Sequence, residues 1–208
     1  MKKEEEYIKD LTEIRTMMER STKFLSLTGW SGILAGLYAL IGAFISYRLF
    51  YNTHGSIISN TIDREEISQN VSGLFLVAFI VFVLAMGTSV LLSFVKSKKR
   101  GEKLWNPASR RLLLNMTIPL VTGGIFIMIL FSKGFYDLLA PASLVFYGLT
   151  LINAGKFTYD EVKIVGYVEI VLGLVGLYFV GYGLLLWAIG FGLIHIFYGL
   201  YMHYKYEK

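Results

Sequence analysis

Five stretches of this chain, each at least 18 residues long, contain no Asp, Glu, Lys or Arg: Phe24–Tyr47, Val71–Val95, Leu112–Ser132, Leu138–Gly155 and Ile170–Gly199. About 20 predominantly apolar residues in helical form cross the hydrocarbon layer of a bilayer. A helix packed on a soluble core keeps a polar stripe toward water, which runs of this length without a charge do not supply. Composition agrees, with 55% hydrophobic and only 17% charged residues, against roughly 25% charged in an average soluble domain. Lipid offers no partner to backbone N–H and C=O groups, so a segment inside it must satisfy them within itself. The sequence therefore predicts an all-α integral membrane protein.

The last apolar stretch has to be divided. From Ile164 to Met202 the one formal charge is Glu169, and a single helix of that length would run about 58 Å at 1.5 Å per residue. Gly181-Tyr182-Gly183 is the natural break, since glycines allow a tight turn. Six transmembrane helices follow, at about 24–47, 71–95, 112–132, 137–154, 164–180 and 184–202, within a membrane domain of 24–204. Lysine and arginine collect on the cytoplasmic side of membrane proteins. With six crossings, 17 of the 20 fall on one side, and only Arg48, Arg64 and Lys133 on the other. Both termini are thereby expected in the cytoplasm. The same asymmetry explains the net charge of +5: these residues meet lipid headgroups, and nucleic acid is not an expected partner.

Internal similarity points to three consecutive hairpins. Phe146-Tyr147-Gly148-Leu149 in span four recurs as Phe197-Tyr198-Gly199-Leu200 in span six. Gly29-Trp30, Ile33, Gly36-Leu37 and Leu40 in span one match Gly166-Tyr167, Ile170, Gly173-Leu174 and Leu177 in span five. If spans five and six turn around Tyr182, residues equidistant from the turn face one another. Glu169 then lies opposite His195, Gly173 near Gly192 and Gly166 near Gly199. The same construction about Lys133-Gly134 sets Asn115 opposite Asn153. Small residues let membrane helices approach closely, and Gly32 and Gly36 give span one such a face. Pro119 and Pro141 are expected to kink spans three and four.

Glu169 is the acidic residue well inside a span and His195 the imidazole there. Ionisable groups in a membrane are costly, and they mark functional candidates by default. One reading makes them a proton-responsive pair, histidine being the side chain that changes charge near neutral pH. The plainer reading is a hydrogen-bonded clasp within the last hairpin. Asn115 and Asn153 extend a candidate polar pocket in the cytoplasmic leaflet. There is no cysteine, and His54, His195 and His203 are scattered, so neither a metal site nor a cofactor is expected. Nucleophile-elbow, metalloprotease and phosphate-loop signatures are absent from the sequence, and no enzymatic activity is expected.

Residues 1–23 read as a cytoplasmic amphipathic helix. Tyr7, Leu11, Ile14, Met18 and Leu25 share a face, and Glu5–Lys9, Lys9–Glu13, Arg15–Glu19 and Glu19–Lys23 place opposite charges four apart. Residues 4–22 could dock a cytoplasmic protein partner or lie along the membrane surface, and the small-residue face of span one equally suits internal packing or a homo-oligomer.

The hairpin units, with their glycine-spaced odd helices and the two Phe-Tyr-Gly-Leu segments, resemble small bacterial membrane proteins of the HdeD type, which are built from repeated helical hairpins and associated with acid resistance. Ser21–Phe44 and Glu161–Glu207 also resemble a group of bacterial six-helix inner-membrane proteins. The resemblance implies a bacterial inner-membrane location and a stress-related role, and it carries over no functional residue. The expected function is that of a non-enzymatic inner-membrane protein of stress-response or regulatory type. The alternative is a small transporter or channel using the cytoplasmic-leaflet pocket.

Overall fold

The structure, a computed structural model, describes residues 23–48, 64–99, 101 and 105–207, with side chains from residue 72 onward in the second helix. The helix expected before Lys23, with its docking surface at residues 4–22, lies outside the described residues. Those described form helices α1 (Gly29–Ser46), α2 (Arg64–Lys99), α3 (Pro107–Ser132), α4 (Leu139–Ala154) and α5 (Glu161–Tyr178). A short helix α6 (Gly183–Trp187), a π-helical segment (Ala188–Ile194) and α7 (His195–Tyr206) complete the chain. No strand occurs among the described residues.

Among the described residues, five helical stretches are long and apolar enough to cross a membrane: Gly29–Ser46, Ser72–Lys99, Pro107–Ser132, Tyr136–Ala154 and Gly183–Tyr206. By length and composition the chain is an all-α, multi-pass membrane protein. The remaining helix, α5, is 18 residues long and carries Glu161, Lys163 and Glu169.

Local chemistry sets the helix ends. The first helix starts at Gly29, not at Phe24 as the absence of charge had placed it. Thr28 caps it by accepting from the Ser31 N–H, and Phe24 is drawn out of helical geometry by donating its own N–H to the Phe157 carbonyl at 2.7 Å. Asn106 and Ser109 form a reciprocal capping box with Pro107 in the first turn, which starts α3 five residues before Leu112. Pro119 is carried inside α3 without interrupting it. Pro141 falls in the first turn of α4, where helical N–H groups have no intrahelical acceptor, so it starts a helix instead of kinking one. Gly134 (φ +79°) and Gly181 (φ +97°) take left-handed conformations and turn the chain between α3 and α4 and between α5 and α6.

The most extensive packing joins α4 to α5, α3 to α4, and α1 to both α7 and α2. This corrects the glycine partners expected within the last hairpin. A Cβ at Gly166 would lie 2.7 Å from the Gly148 carbonyl oxygen of α4, and one at Gly173 would lie 2.8 Å from that of Pro141. On the other side, a Cβ at Gly199 would lie 2.5 Å from the Gly29 carbonyl oxygen of α1, and Gly192 lies against Leu40. The small faces of α5 and of the last helical run are thus turned toward α4 and α1. Equal distance from a turn decides which residues share a depth, and it leaves open which helix each face meets. Outward, α2 and α3 present large apolar side chains such as Leu76, Phe79, Leu91, Ile118, Ile125 and Met128.

One end of the bundle gathers the start of α1, the end of α2, the α4–α5 loop and the end of α7. Tyr159 donates its hydroxyl to the Leu25 carbonyl at 2.9 Å, and Lys96 donates to the Leu27 carbonyl at 2.6 Å. Glu207 accepts from Lys96 at 3.0 Å and from the Gly29 N–H at 3.1 Å, with His203 Nδ1 2.7 Å away. Burial pushes the Glu207 carboxyl up, but the bonds from His203, Lys96 and Gly29 together outweigh that and hold it below its ordinary value. A carboxylate depressed in the folded state stabilises above its unfolded pKa, about 4.3 for Glu, and loses that contribution as pH falls through the lower folded value.

Two outcomes follow. Gly29→Ala sets a methyl group into the Gly199 carbonyl and the His203 backbone and should destabilise by about 1–3 kcal/mol in thermal unfolding in detergent, whereas Gly124→Ala, with open space around it, should not destabilise. Glu207→Gln should lower the unfolding temperature at neutral pH, and the gap to the parent should close as the titration passes below pH ~4.

Candidate functional site

Three helices supply one polar cluster in the interior. Glu169 stands two turns into α5, where Val165, Gly166, Glu169, Gly173 and Gly176 are all buried on the inward side. Its exposure is 0%, which for a carboxyl in an apolar bundle demands a specific environment, because unpaired burial of even a neutral polar group costs roughly 2–7 kcal/mol. His195 begins α7 just beyond the π-helical segment. Tyr147 comes from α4, as the tyrosine of its Phe-Tyr-Gly-Leu segment.

The imidazole has both nitrogens engaged. Nδ1 lies 3.0 Å from the Gly190 carbonyl oxygen and Nε2 lies 2.8 Å from the Tyr147 hydroxyl. A carbonyl only accepts, so Nδ1 carries the proton and Nε2 accepts from the phenol; the tautomer is assigned from this network. Glu169 Oε1 is 3.5 Å from the same Nδ1, yet among the described residues neither carboxyl oxygen has a hydrogen-bond partner. The two observations are compatible. The Nδ1 proton points to Gly190, and the carboxyl waits beside it at ion-pair distance, outside the direction of the bond.

Gly190 makes that position possible. A Cβ there would collide with Glu169 Oε2 and would lie 2.7 Å from Leu144 Cδ2. The π-helical turn that contains it is a rare conformation, frequent at functional sites. An aromatic wall encloses the imidazole: Phe191 stacks on His195 at 6.0 Å, Tyr147 lies 4.8 Å from Phe191, and Trp187 lies 5.1 Å from Phe191. Chemically, the cluster sets a phenol at one nitrogen of the imidazole and a carboxyl near the other. Among the described residues no group of three His, Asp or Glu side chains is placed to hold a metal ion.

Glu169 and His195 are brought together, and Asn115 and Asn153 are not brought to them. Asn115 donates to the Arg111 carbonyl at 2.8 Å, and Asn153 donates to Leu149 while accepting from Lys156. Each amide serves its own helix end. Thr117 and Ser31 likewise bond backbone carbonyls nearby, those of Leu113 and Thr28, as short hydroxyl side chains in helices commonly do. Sequence reasoning missed Tyr147 as a site residue. It lies one position before Gly148, whose contact with α5 fixes the depth at which α4 meets Glu169, so the repeated motif held the available signal.

No protein-family model, curated protein or solved structure matches this chain. What the fold and site define is a class: a multi-pass, helical membrane protein with a carboxyl buried beside an imidazole.

The space at Gly190 can be tested by a double-mutant cycle. Gly190→Ala should destabilise the parent by about 1–3 kcal/mol, and clearly less in a Glu169→Ala background, where the displaced carboxyl is gone. Equal costs in both backgrounds would show that the carboxyl does not fill that space.

Proposed function

We propose that this chain is a non-enzymatic bacterial inner-membrane protein of regulatory or stress-response type that responds to protons at Glu169 and His195. It crosses the bilayer six times with both ends in the cytoplasm. The crossing added to the five long apolar stretches is α5, fifth in chain order. Its exposed residues are Ile164, Tyr167, Val171, Leu174, Val175, Leu177 and Tyr178, an apolar surface suited to lipid, and its one deep charge is turned inward. The gathering of the start of α1, the ends of α2 and α7 and the α4–α5 loop at one end fits helices that alternate in direction, and the lysine–arginine distribution favours the cytoplasm for that end. The stress-related role draws on the resemblance to hairpin-repeat membrane proteins, and the segment at residues 4–22 is the candidate surface for a cytoplasmic partner.

The observation that carries the proton-responsive reading is the Glu169 carboxyl, without a hydrogen-bond partner among the described residues and 3.5 Å from His195 Nδ1. Uptake of one proton by the imidazole makes both ring nitrogens donors. Nε2 then no longer accepts from Tyr147, whose hydroxyl must turn and become the acceptor. Nδ1–H gains a charged reason to move from the Gly190 carbonyl to Glu169. Proton uptake therefore rewires contacts among α4, α5 and the π-helical turn, a local charge change coupled to packing. A carrier with a cytoplasmic-leaflet pocket is less favoured, because the asparagines meant to line that pocket are engaged with their own helices.

Trp187, two aromatic contacts from His195, supplies a readout. With Trp30 and Trp105 replaced by phenylalanine, Trp187 emission in detergent should titrate with pH, and the transition should disappear in Glu169→Gln and shift in Tyr147→Phe. A flat titration, or one unchanged by both substitutions, would remove the reading.

A further inference from the structure

Among the described residues, the glycine contacts of α1 with the last helical run and those of α5 with α4 correspond residue for residue. A Cβ at Gly36 of α1 would meet the Gly192 carbonyl oxygen at 2.5 Å and Ile196 N at 3.0 Å. One at Gly173 of α5 would meet the Pro141 carbonyl oxygen at 2.8 Å and Val145 N at 2.9 Å. Moving from the first set to the second takes each α1 residue 137 positions forward and each residue of the last span 51 positions back. The same two offsets carry Gly29, against Gly199 and His203, onto Gly166, against Gly148 and Ile152. They carry Gly199, against the Gly29 carbonyl and Ile33, onto Gly148, against the Gly166 carbonyl and Ile170. These are also the offsets that align the two Phe-Tyr-Gly-Leu segments and the glycine patterns of spans one and five. Antiparallel helices can pack in many registers, and a shared register at three glycines on aligned sequence is specific.

We infer that α1 with the last span, and α5 with α4, are two copies of one glycine-locked unit, and that the Glu169–His195–Tyr147 cluster is where proton uptake shifts one unit against the other. This rests on the proton-responsive reading and adds what moves. Backbone-to-backbone contact makes each unit stiff, since a close-packed interface is not continuously deformable. Between the units the contacts differ in kind: Gly176 against Leu186, Gly183 against Pro141, and the polar cluster. The cluster interrupts the repeat. The α1 residue equivalent to Glu169 is Gly32, and the α4 residue equivalent to His195 is Leu144, so the acid and the base are each present in one copy only and face each other across the junction. Glu169 is faced by Tyr147 from α4 and by His195 from α7, with Tyr198 near Tyr147. The equivalent face of α1 carries Gly29, Gly32 and Gly36, which do not titrate.

The chain contains no cysteine, so paired cysteines carrying spin labels report without a background. Leu37 and Leu174 are equivalent, exposed positions in different units, and Leu200 and Leu149 are their exposed counterparts on the partner helices. Between about pH 8 and about pH 5, the range in which histidine changes charge, the Leu37–Leu174 distance should change by about 2 Å or more, the scale of helix shifts in switching proteins. Leu37–Leu200 and Leu174–Leu149 should stay fixed. Glu169→Gln should abolish the change, and Tyr147→Phe, which keeps the ring, should move its midpoint should the first variant fail to fold. A Leu37–Leu174 distance that stays fixed while Trp187 emission still titrates would overturn the moving units and leave the proton-responsive reading standing. Within-unit distances that change as much as the between-unit distance would overturn the units. A flat Trp187 titration would remove both.

Discussion

Direct contact between helix backbones at glycine is the interaction on which the rest of this structure depends. Inside lipid there is no hydrophobic force to draw helices together, because the acyl chains are as apolar as leucine, so association relies on close packing and on interhelical polar contacts. Gly29 against Gly199 and Gly148 against Gly166 bring four helices to separations that larger residues would forbid. The depth of each helix relative to its neighbour is fixed there, and every other contact inherits that depth. Tyr147 reaches His195 because Gly148 has set α4 on α5, and His195 reaches Glu169 because the π-helical turn brings Gly190 against the carboxyl.

The polar cluster is the costly part of the design. An apolar bundle would be more stable without a buried carboxyl whose oxygens accept no hydrogen bond among the described residues. Its neighbours look arranged for it: a glycine where any side chain would collide, a helical turn of rare geometry, and an imidazole whose proton has two acceptors in reach. The Nδ1 proton goes to a main-chain carbonyl, which leaves a second arrangement accessible.

Much of the fold was legible in the sequence, for reasons that also explain the errors. Charge-free runs located the apolar segments because the cost of burying charge in lipid is large and local. The breaks at Gly134 and Gly181 were readable because left-handed backbone favours glycine. Helix ends were misplaced where hydrogen bonding decided them, as at Thr28 and Asn106, since capping depends on neighbours beyond a hydropathy window. The Glu169–His195 proximity came from equal spacing about a turn. The same construction misassigned the glycine faces, because it assumes that chain neighbours are packing neighbours. Here Gly166 and Gly173 turn to α4 and Gly199 to α1. Nothing in the composition of Ala188–Ile194 marks a π-helix, and Glu207, to which the sequence assigned no role, serves three elements at once.

The pairing of the first span with the last has a consequence for how the molecule is made. Membrane helices enter the bilayer in order as the ribosome delivers them, and domains generally form from the N-terminus onward. The glycine face of α1 is released well before its complement, from Gly192 to Gly199, which arrives only with the last described helix. Until then those glycines present bare backbone ridges that any other small-faced helix could occupy. The second unit has no such delay, because α4 is followed at once by α5. Biogenesis of this bundle should therefore have an early, locally assembled half and a late closure, with the wait at α1 its most exposed interval to mispairing.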